Sequence, residues 1–203
     1  MKGIRLGQFE KHFLNFLFPS FSARQIQISS LNSEINHSSE YGYGHEVVSP
    51  LKAALVIWHL KQLTRRMSAY RIIDIGSGTG FLLKILRIAN FKNLVGIEVD
   101  PCLFYISQKN LKSDIERGYC LLFRQDAAER FVVNSTDIGI LFNPFGEEKL
   151  NQMLISNKFP VLYYINDRHS RSLELQKNYE LIKNFPIFRV SIYHLKKSTS
   201  LGE

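Results

Sequence analysis

Hydrophobic and polar positions along this chain keep two alternating periods. From residue 70 onward, short runs rich in β-branched and aromatic residues recur at 70–75, 93–99, 119–125, 137–143 and 159–167. Stretches whose apolar residues return every three or four positions follow most of these runs, at 79–90, 101–117, 147–157 and 169–178. The first period marks strands and the second marks helices. An earlier stretch, SPLKAALVIWHLKQLTRRM at 49–67, predicts a helix capped by Ser49 with Pro50 at its first position. Leu51, Leu55, Trp58 and Leu63 mark its apolar side. Pro101 opens the helix over 101–117, and Gly118 ends it. The chain closes with two strand-like segments, YELIKNF and FRVSIYHLKK, on either side of Pro186. Strands alternating with helices, then a terminal strand pair, predict an α/β fold with a parallel sheet and an antiparallel edge.

Residues 1–48 stand apart from this alternation and read as an N-terminal extension, a possible lid over the domain at 49–203. Phe9, Phe13, Phe16 and Leu17 share helical spacing, ended by Pro19 and Ser20. A Ser- and Asn-rich segment then leads to YGYGHE at 41–46. Tyr41, Tyr43 and His45 can close over a bound ligand or grip a substrate; the alternative is a flexible loop.

Composition narrows the class. A length of 203 residues suits one domain with a full core, and 45% hydrophobic with 22% charged residues is globular composition. No apolar run approaches the roughly 20 residues that span a bilayer. HFLNFLF near the N-terminus lacks the length and small-residue site of a signal peptide. Cys102 and Cys120 have no C-x-x-C spacing, which points to a reducing, cytoplasmic setting and away from metal binding. The net charge is +8, and it is concentrated. Between Lys52 and Lys92 eight bases (Lys52, Lys61, Arg65, Arg66, Arg71, Lys84, Arg87 and Lys92) face one acid, Asp74. Such a stretch reads either as a face for an anionic partner such as nucleic acid or as a solvated helix surface.

The chemistry is concentrated in RIIDIGSGTGF at 71–81. An apolar strand runs into three glycines at alternate positions, Gly76, Gly78 and Gly80, and then into a helix. That order brings bare backbone N–H groups and a helix N-terminus up to a ligand. The dinucleotide pattern G-x-G-x-x-G fails here, because its last position falls on Phe81 or Leu83. The phosphate loop fails too, since no G-K-[ST] ends the run. Twenty residues beyond Gly78, the second strand ends in Glu98. An acid at that separation is where a nucleotide ribose is gripped through its two hydroxyls.

The pattern D-x-G-x-G-x-G resembles the cofactor loop of class I S-adenosylmethionine (SAM) methyltransferases. The resemblance spans about 48–195 and rests on Asp74–Gly80, Glu98, Asp126 and Asn143–Phe145 in that order. It implies a Rossmann-like, seven-stranded, mostly parallel sheet in the order 3-2-1-4-5-7-6, with helices on both faces. It implies SAM as cofactor, with S-adenosylhomocysteine as product. Asp74, Gly76, Ser77, Gly78, Gly80, Glu98, Asp126 and Asn143 are the implied cofactor residues. Asp74 would face the methionine ammonium, and the glycine backbone would admit its carboxylate. Asp126 would accept the adenine amino group, or else cap a helix starting at Ala127.

More narrowly, the chain looks like small bacterial class I enzymes with N-P-F-G-E after the fourth strand and a tyrosine-rich fifth strand. Asn143, Pro144 and Phe145 also look like the [DN]-P-P-[FY] loop of amino-methylating enzymes, although Phe145 stands where that loop has its second proline. A plain strand-to-helix turn is the alternative. With His45 these three are the candidate catalytic residues; His45, Glu46 and His169 are the candidate bases. The acceptor expected is a small molecule, a glycan or a protein amine or hydroxyl. Two rival readings stand: a basic SAM-binding module without turnover, and a nucleic-acid methyltransferase.

Overall fold

A computed structural model describes residues 48–63, 70–142, 146–167, 169 and 172–197. Residues 1–47 of the N-terminal extension, with Tyr41, Tyr43, His45 and Glu46, lie outside them, as do Arg65, Arg66, Asn143, Pro144 and Phe145.

The described chain is helix α1 (Pro50–Leu63), β1 (Arg71–Ile75), α2 (Phe81–Ile88), β2 (Leu94–Glu98), α3 (Pro101–Asn110), α4 (Lys112–Glu116), β3 (Cys120–Arg124), β4 (Asp137–Phe142), α5 (Glu147–Ser156), β5 (Val161–Ile165), α6 (Leu173–Asn178), β6 (Tyr179–Phe185) and β7 (Val190–Leu195). The seven strands form one sheet in the order β3-β2-β1-β4-β5-β7-β6. Strands β1 to β5 are parallel, and β7 runs antiparallel to both β5 and β6. Order and direction are those expected. β1, β2 and β4 are buried along almost their whole length, which is why they read as continuous apolar runs rather than alternating ones. One core joins Ile57, Leu60, Leu83, Leu86 and Tyr163 on one side of the sheet. The other joins Ile73, Ile97, Leu141, Met153 and Tyr164.

Local chemistry explains the ends. Ser49 Oγ accepts the Lys52 amide at 3.3 Å, capping α1 as predicted. Asp100 caps α3, its Oδ1 accepting from the amides of Cys102 at 2.8 Å and Leu103 at 3.0 Å. Arg71 and Asp137 begin neighbouring strands in register and bind each other through two hydrogen bonds, of 3.0 and 2.5 Å.

Three expectations are corrected. The buried side of α1 is Ala53, Val56, Ile57 and Leu60, whereas Trp58 and Leu63 are each 41% exposed. Ala53, Ala54, Val56, Ile57 and Leu60 belong to the core and Leu55 packs against it, so the core face does not follow the largest side chains. The helix over 101–117 is broken at Leu111 into α3 and α4. Leu111 is fully buried against the glycine loop, and beyond it Asp114 turns to meet Lys84 at 2.8 Å and Arg87 at 3.1 Å. Finally, no helix starts at Ala127. Residues 127–129 make a single turn, because Asn157 draws the chain onward, its Oδ1 accepting the Phe131 amide at 2.9 Å.

Candidate functional site

The site forms where β1 and β2 end side by side. Gly76, Gly78 and Gly80 have φ values of 71°, 53° and 76°, the left-handed region that side chains strain to enter. The loop folds back on β2, with the Gly76 and Ser77 amides both donating to the Ile97 carbonyl at 2.9 Å. Gly80 leads into α2 without a side-chain cap, so the first-turn amides of that helix meet no side-chain acceptor. Space also requires glycine at this position, because a Cβ on Gly80 would lie 2.7 Å from Leu111 Cδ1. Asn110 fastens the loop from below, its Nδ2 donating to the Thr79 carbonyl at 2.9 Å.

Glu98 joins the loop to β2. Its Oε2 accepts the Gly78 amide at 2.7 Å, and its Oε1 accepts the Asp100 amide at 2.9 Å. A carboxylate has about four acceptor positions, so the backbone bonds it makes leave room for a hydroxyl donor. Asp74 is 2% exposed, one strand away in register with Gly96. Burial, then the charge of Glu98, pushes the Asp74 carboxyl up to about 7. Burial likewise raises Glu98, opposed by its backbone hydrogen bonds. Two buried carboxylates beside bare backbone amides suit a ligand that brings its own positive charge and a hydroxyl. They do not suit a phosphate, which needs cations. The Ser77 hydroxyl is buried with no hydrogen-bond partner in the protein.

Asp126 follows β3 at the same edge of the sheet. Its Oδ1 accepts the Ala128 amide at 2.9 Å and its Oδ2 accepts Lys149 Nζ at 2.7 Å. Burial raises its carboxyl, but Lys149 and Ala128 outweigh this and hold it below the ordinary carboxylate value. Lys149 and Asn157 escaped the sequence reading, since no motif marks them. Asn157 holds the loop after β3 with three hydrogen bonds, to the Phe131 amide and to the Ala127 and Glu129 carbonyls.

The structure therefore brings Asp74, Gly76, Ser77, Gly78, Gly80 and Glu98 together, with Asp126 on the neighbouring strand end. Of the candidate bases, His169 is described, and its Nε2 is buried without a hydrogen-bond partner in the protein. The basic stretch is partly consumed internally. Arg71 pairs with Asp137, Lys84 and Arg87 pair with Asp114, and Arg87 also lies 4.3 Å from the Tyr119 ring centre. Among the described residues no cluster of His, Cys, Asp and Glu can hold a metal ion, and no helix is long and apolar enough to cross a membrane.

Residues 27–127 match the family described as protein-L-isoaspartate(D-aspartate) O-methyltransferase. That span holds the glycine loop and Glu98 and stops just past Asp126. Comparison with curated protein sequences finds no match. Among solved structures, a candidate RNA methyltransferase from Pyrococcus horikoshii superposes with a TM-score of 0.64 at 14% identity, over 96% of this chain and 100% of its own. The methyltransferase domain of bacterial CtHen1-C gives 0.53 at 16% identity, over 72% of this chain and 97% of its own. The pyocyanin biosynthetic protein PhzM gives 0.54 at 15% identity, over 72% of this chain and 56% of its own. The strand order and these likenesses show that the chain has a Rossmann-like fold of the kind these methyltransferase structures have.

Proposed function

We propose that this chain binds SAM in the cradle of Asp74, Gly76–Gly80 and Glu98 and transfers its methyl group to a small-molecule, glycan or protein acceptor. One observation carries the cofactor reading: Glu98 is held by the Gly78 amide at 2.7 Å with acceptor capacity to spare, beside the buried Asp74. Glu98 then takes the ribose hydroxyls, Asp74 the methionine ammonium and the loop amides the carboxylate. Asp126 accepts the adenine amino group while it stays paired with Lys149. When bound, the cofactor supplies an activated methyl on a sulfonium, and the displacement is in line. The protein's part is to align donor and acceptor and to exclude water.

Asn143, Pro144 and Phe145 follow β4, and we assign them to the acceptor side, with Tyr41, Tyr43 and His45 of residues 1–48 as a covering segment. The match over residues 27–127 covers the cofactor half and ends before β4, so it supports the donor and says little of the acceptor. A nucleic-acid acceptor is the second reading, favoured by the likeness to the candidate RNA methyltransferase over 96% of this chain. Against it, Arg71, Lys84 and Arg87 of the basic stretch already pair with protein carboxylates.

Calorimetric titration with S-adenosylhomocysteine tests the reading. One saturable site is expected, abolished by Gly78→Arg, whose side chain would fill the methionine end of the cradle. Absence of binding by the unaltered protein refutes it.

A further inference from the structure

We propose a second ligand site, for a small amphipathic primary amine, in the cleft that α6 leaves open over β6 and β7. A cavity of about 400 Å³ lies there, bounded by Asp167, Gln176, Asn184 and Ser191 at its polar positions and by Leu175, Leu181, Tyr179 and Tyr193 along its walls. It is not the cofactor cradle. β7 is the third strand from β1 across β4 and β5, about 14 Å away at the usual strand spacing.

Two features make this a built site rather than a gap. The first is in β6. Its register with β7 slips at Ile182, so that Leu181 faces Tyr193 and Asn184 faces Ser191. Three residues apart on a regular strand, Leu181 and Asn184 would point to opposite sides of the sheet. The extra residue turns both toward the cavity. The second is a line of polar groups. Ser191 is 1% exposed and its hydroxyl donates to Asp167 Oδ2. The buried Tyr193 phenol lies against the same serine and feels the Asp167 charge. The Tyr179 hydroxyl is occupied at the far end, accepting the Phe159 amide at 2.9 Å.

The charge selects the ligand. Among the described residues Asp167 is the one charged side chain lining the cavity, and no cation pairs with it. An ammonium fits that carboxylate, with the Asn184 and Gln176 amide oxygens as further acceptors. The apolar body of the ligand lies along Leu175, Leu181 and the tyrosine rings. Asp167 follows β5, so the charged end lies at the edge of the sheet where β1 and β2 also present their ligand groups.

The experiment is binding of tyramine to the full 203-residue chain, by titration calorimetry and saturation-transfer NMR, beside N-acetyltyramine and 4-hydroxyphenylacetate. Saturable tyramine binding is expected, with the neutral and anionic analogues at least about tenfold weaker. Asp167→Asn should weaken tyramine by a similar factor while S-adenosylhomocysteine binding and Tm stay unchanged. Leu181→Trp, at a half-exposed wall position, should fill the cleft and block tyramine without touching the Asp167–Ser191 bond. Equal binding of the three probes, no binding of tyramine, or indifference to both substitutions overturns the proposal. Loss of homocysteine-cofactor binding in the unaltered chain would refute the cofactor reading and leave this site standing.

Discussion

At the scale of single residues, the two buried carboxylates carry the sharpest consequences. Glu98→Ala removes the acceptor for the Gly78 amide and leaves ligand hydroxyls unpaired, so S-adenosylhomocysteine affinity should fall by about 1–3 kcal/mol. Calorimetry on the folded variant measures this, and an unchanged Kd places the ribose elsewhere. Asp74 titrates near 7 in the folded chain against an ordinary 3.8. Between those values the folded state holds a proton that the unfolded state has released. The contribution of Asp74 to stability is therefore fully present below 3.8 and declines as pH rises through 7. Affinity for an ammonium-bearing ligand should run the other way, weakening as pH falls below about 7. Asp74→Asn should flatten both profiles, read by denaturant unfolding and by titration across pH 5–8. A wild-type affinity that is level across that range contradicts the assigned role.

At the scale of elements, the turns divide into those that need glycine for space and those that need it for conformation alone. Gly80 and Gly118 both have positive φ, 76° and 71°. A Cβ at Gly80 meets Leu111 and Ser107, the residues that wedge α3 against the cofactor loop, whereas a Cβ at Gly118 meets nothing within 4 Å. Gly118→Ala should thus cost only backbone strain, about 1 kcal/mol. Gly80→Ala should cost that and an overpacking term of about 1–3 kcal/mol, and should also weaken cofactor binding because the loop must shift. Urea unfolding of the two variants, with homocysteine-cofactor titration alongside, separates them. Equal destabilisation would mean that Leu111 does not support the loop. The ion pairs of Asp114 with Lys84 and Arg87 join α4 to α2 across the same region. Lys84 is substantially exposed, so we attach no large stability to that pair; its role is to fix how α4 leaves the break at Leu111.

At the scale of the molecule, the sheet divides the work. On the function proposed above, β1, β2 and β3 present the donor groups and the segment after β4 faces the acceptor. This division predicts a separation of effects. Asn143→Ala should leave S-adenosylhomocysteine affinity within about twofold, since small changes away from a contact seldom exceed ±0.5 kcal/mol. Methyl transfer, once an acceptor is found, should be lost. Parallel loss of both would move Asn143 to the cofactor side. Transfer that persists would free Asn143–Phe145 from an acceptor role.

Much of the fold was legible in the sequence because it depends on local periodicity. Strands buried on both faces write themselves as apolar runs, and the alternation with helices implies a parallel sheet. Pro101, Gly118 and Ser49 mark ends through backbone chemistry that acts within a few residues. The glycine loop was legible for the same reason, since three positive-φ glycines are a local requirement and Glu98 follows at a spacing set by one strand, one helix and one strand. The rest depends on contacts between distant residues. Nothing near Leu111 announces that the helix breaks there; the break comes from its burial against Gly80. Nothing near Asp126 shows that Lys149 will pair with it, or that Asn157 will hold the following loop out of a helix. The inner face of α1 is Ala53, Ala54, Val56, Ile57 and Leu60 rather than the larger Trp58. The basic stretch shows the same limit. Its charges are adjacent in sequence, yet the carboxylates that neutralise three of them, Asp114 and Asp137, are brought in by α4 and β4. Composition and periodicity determined the elements and the glycine loop, because those are decided within a few residues of backbone. Pairing, wedging and the cleft over β7 were decided by the tertiary structure, because they join side chains that only the closed sheet brings together.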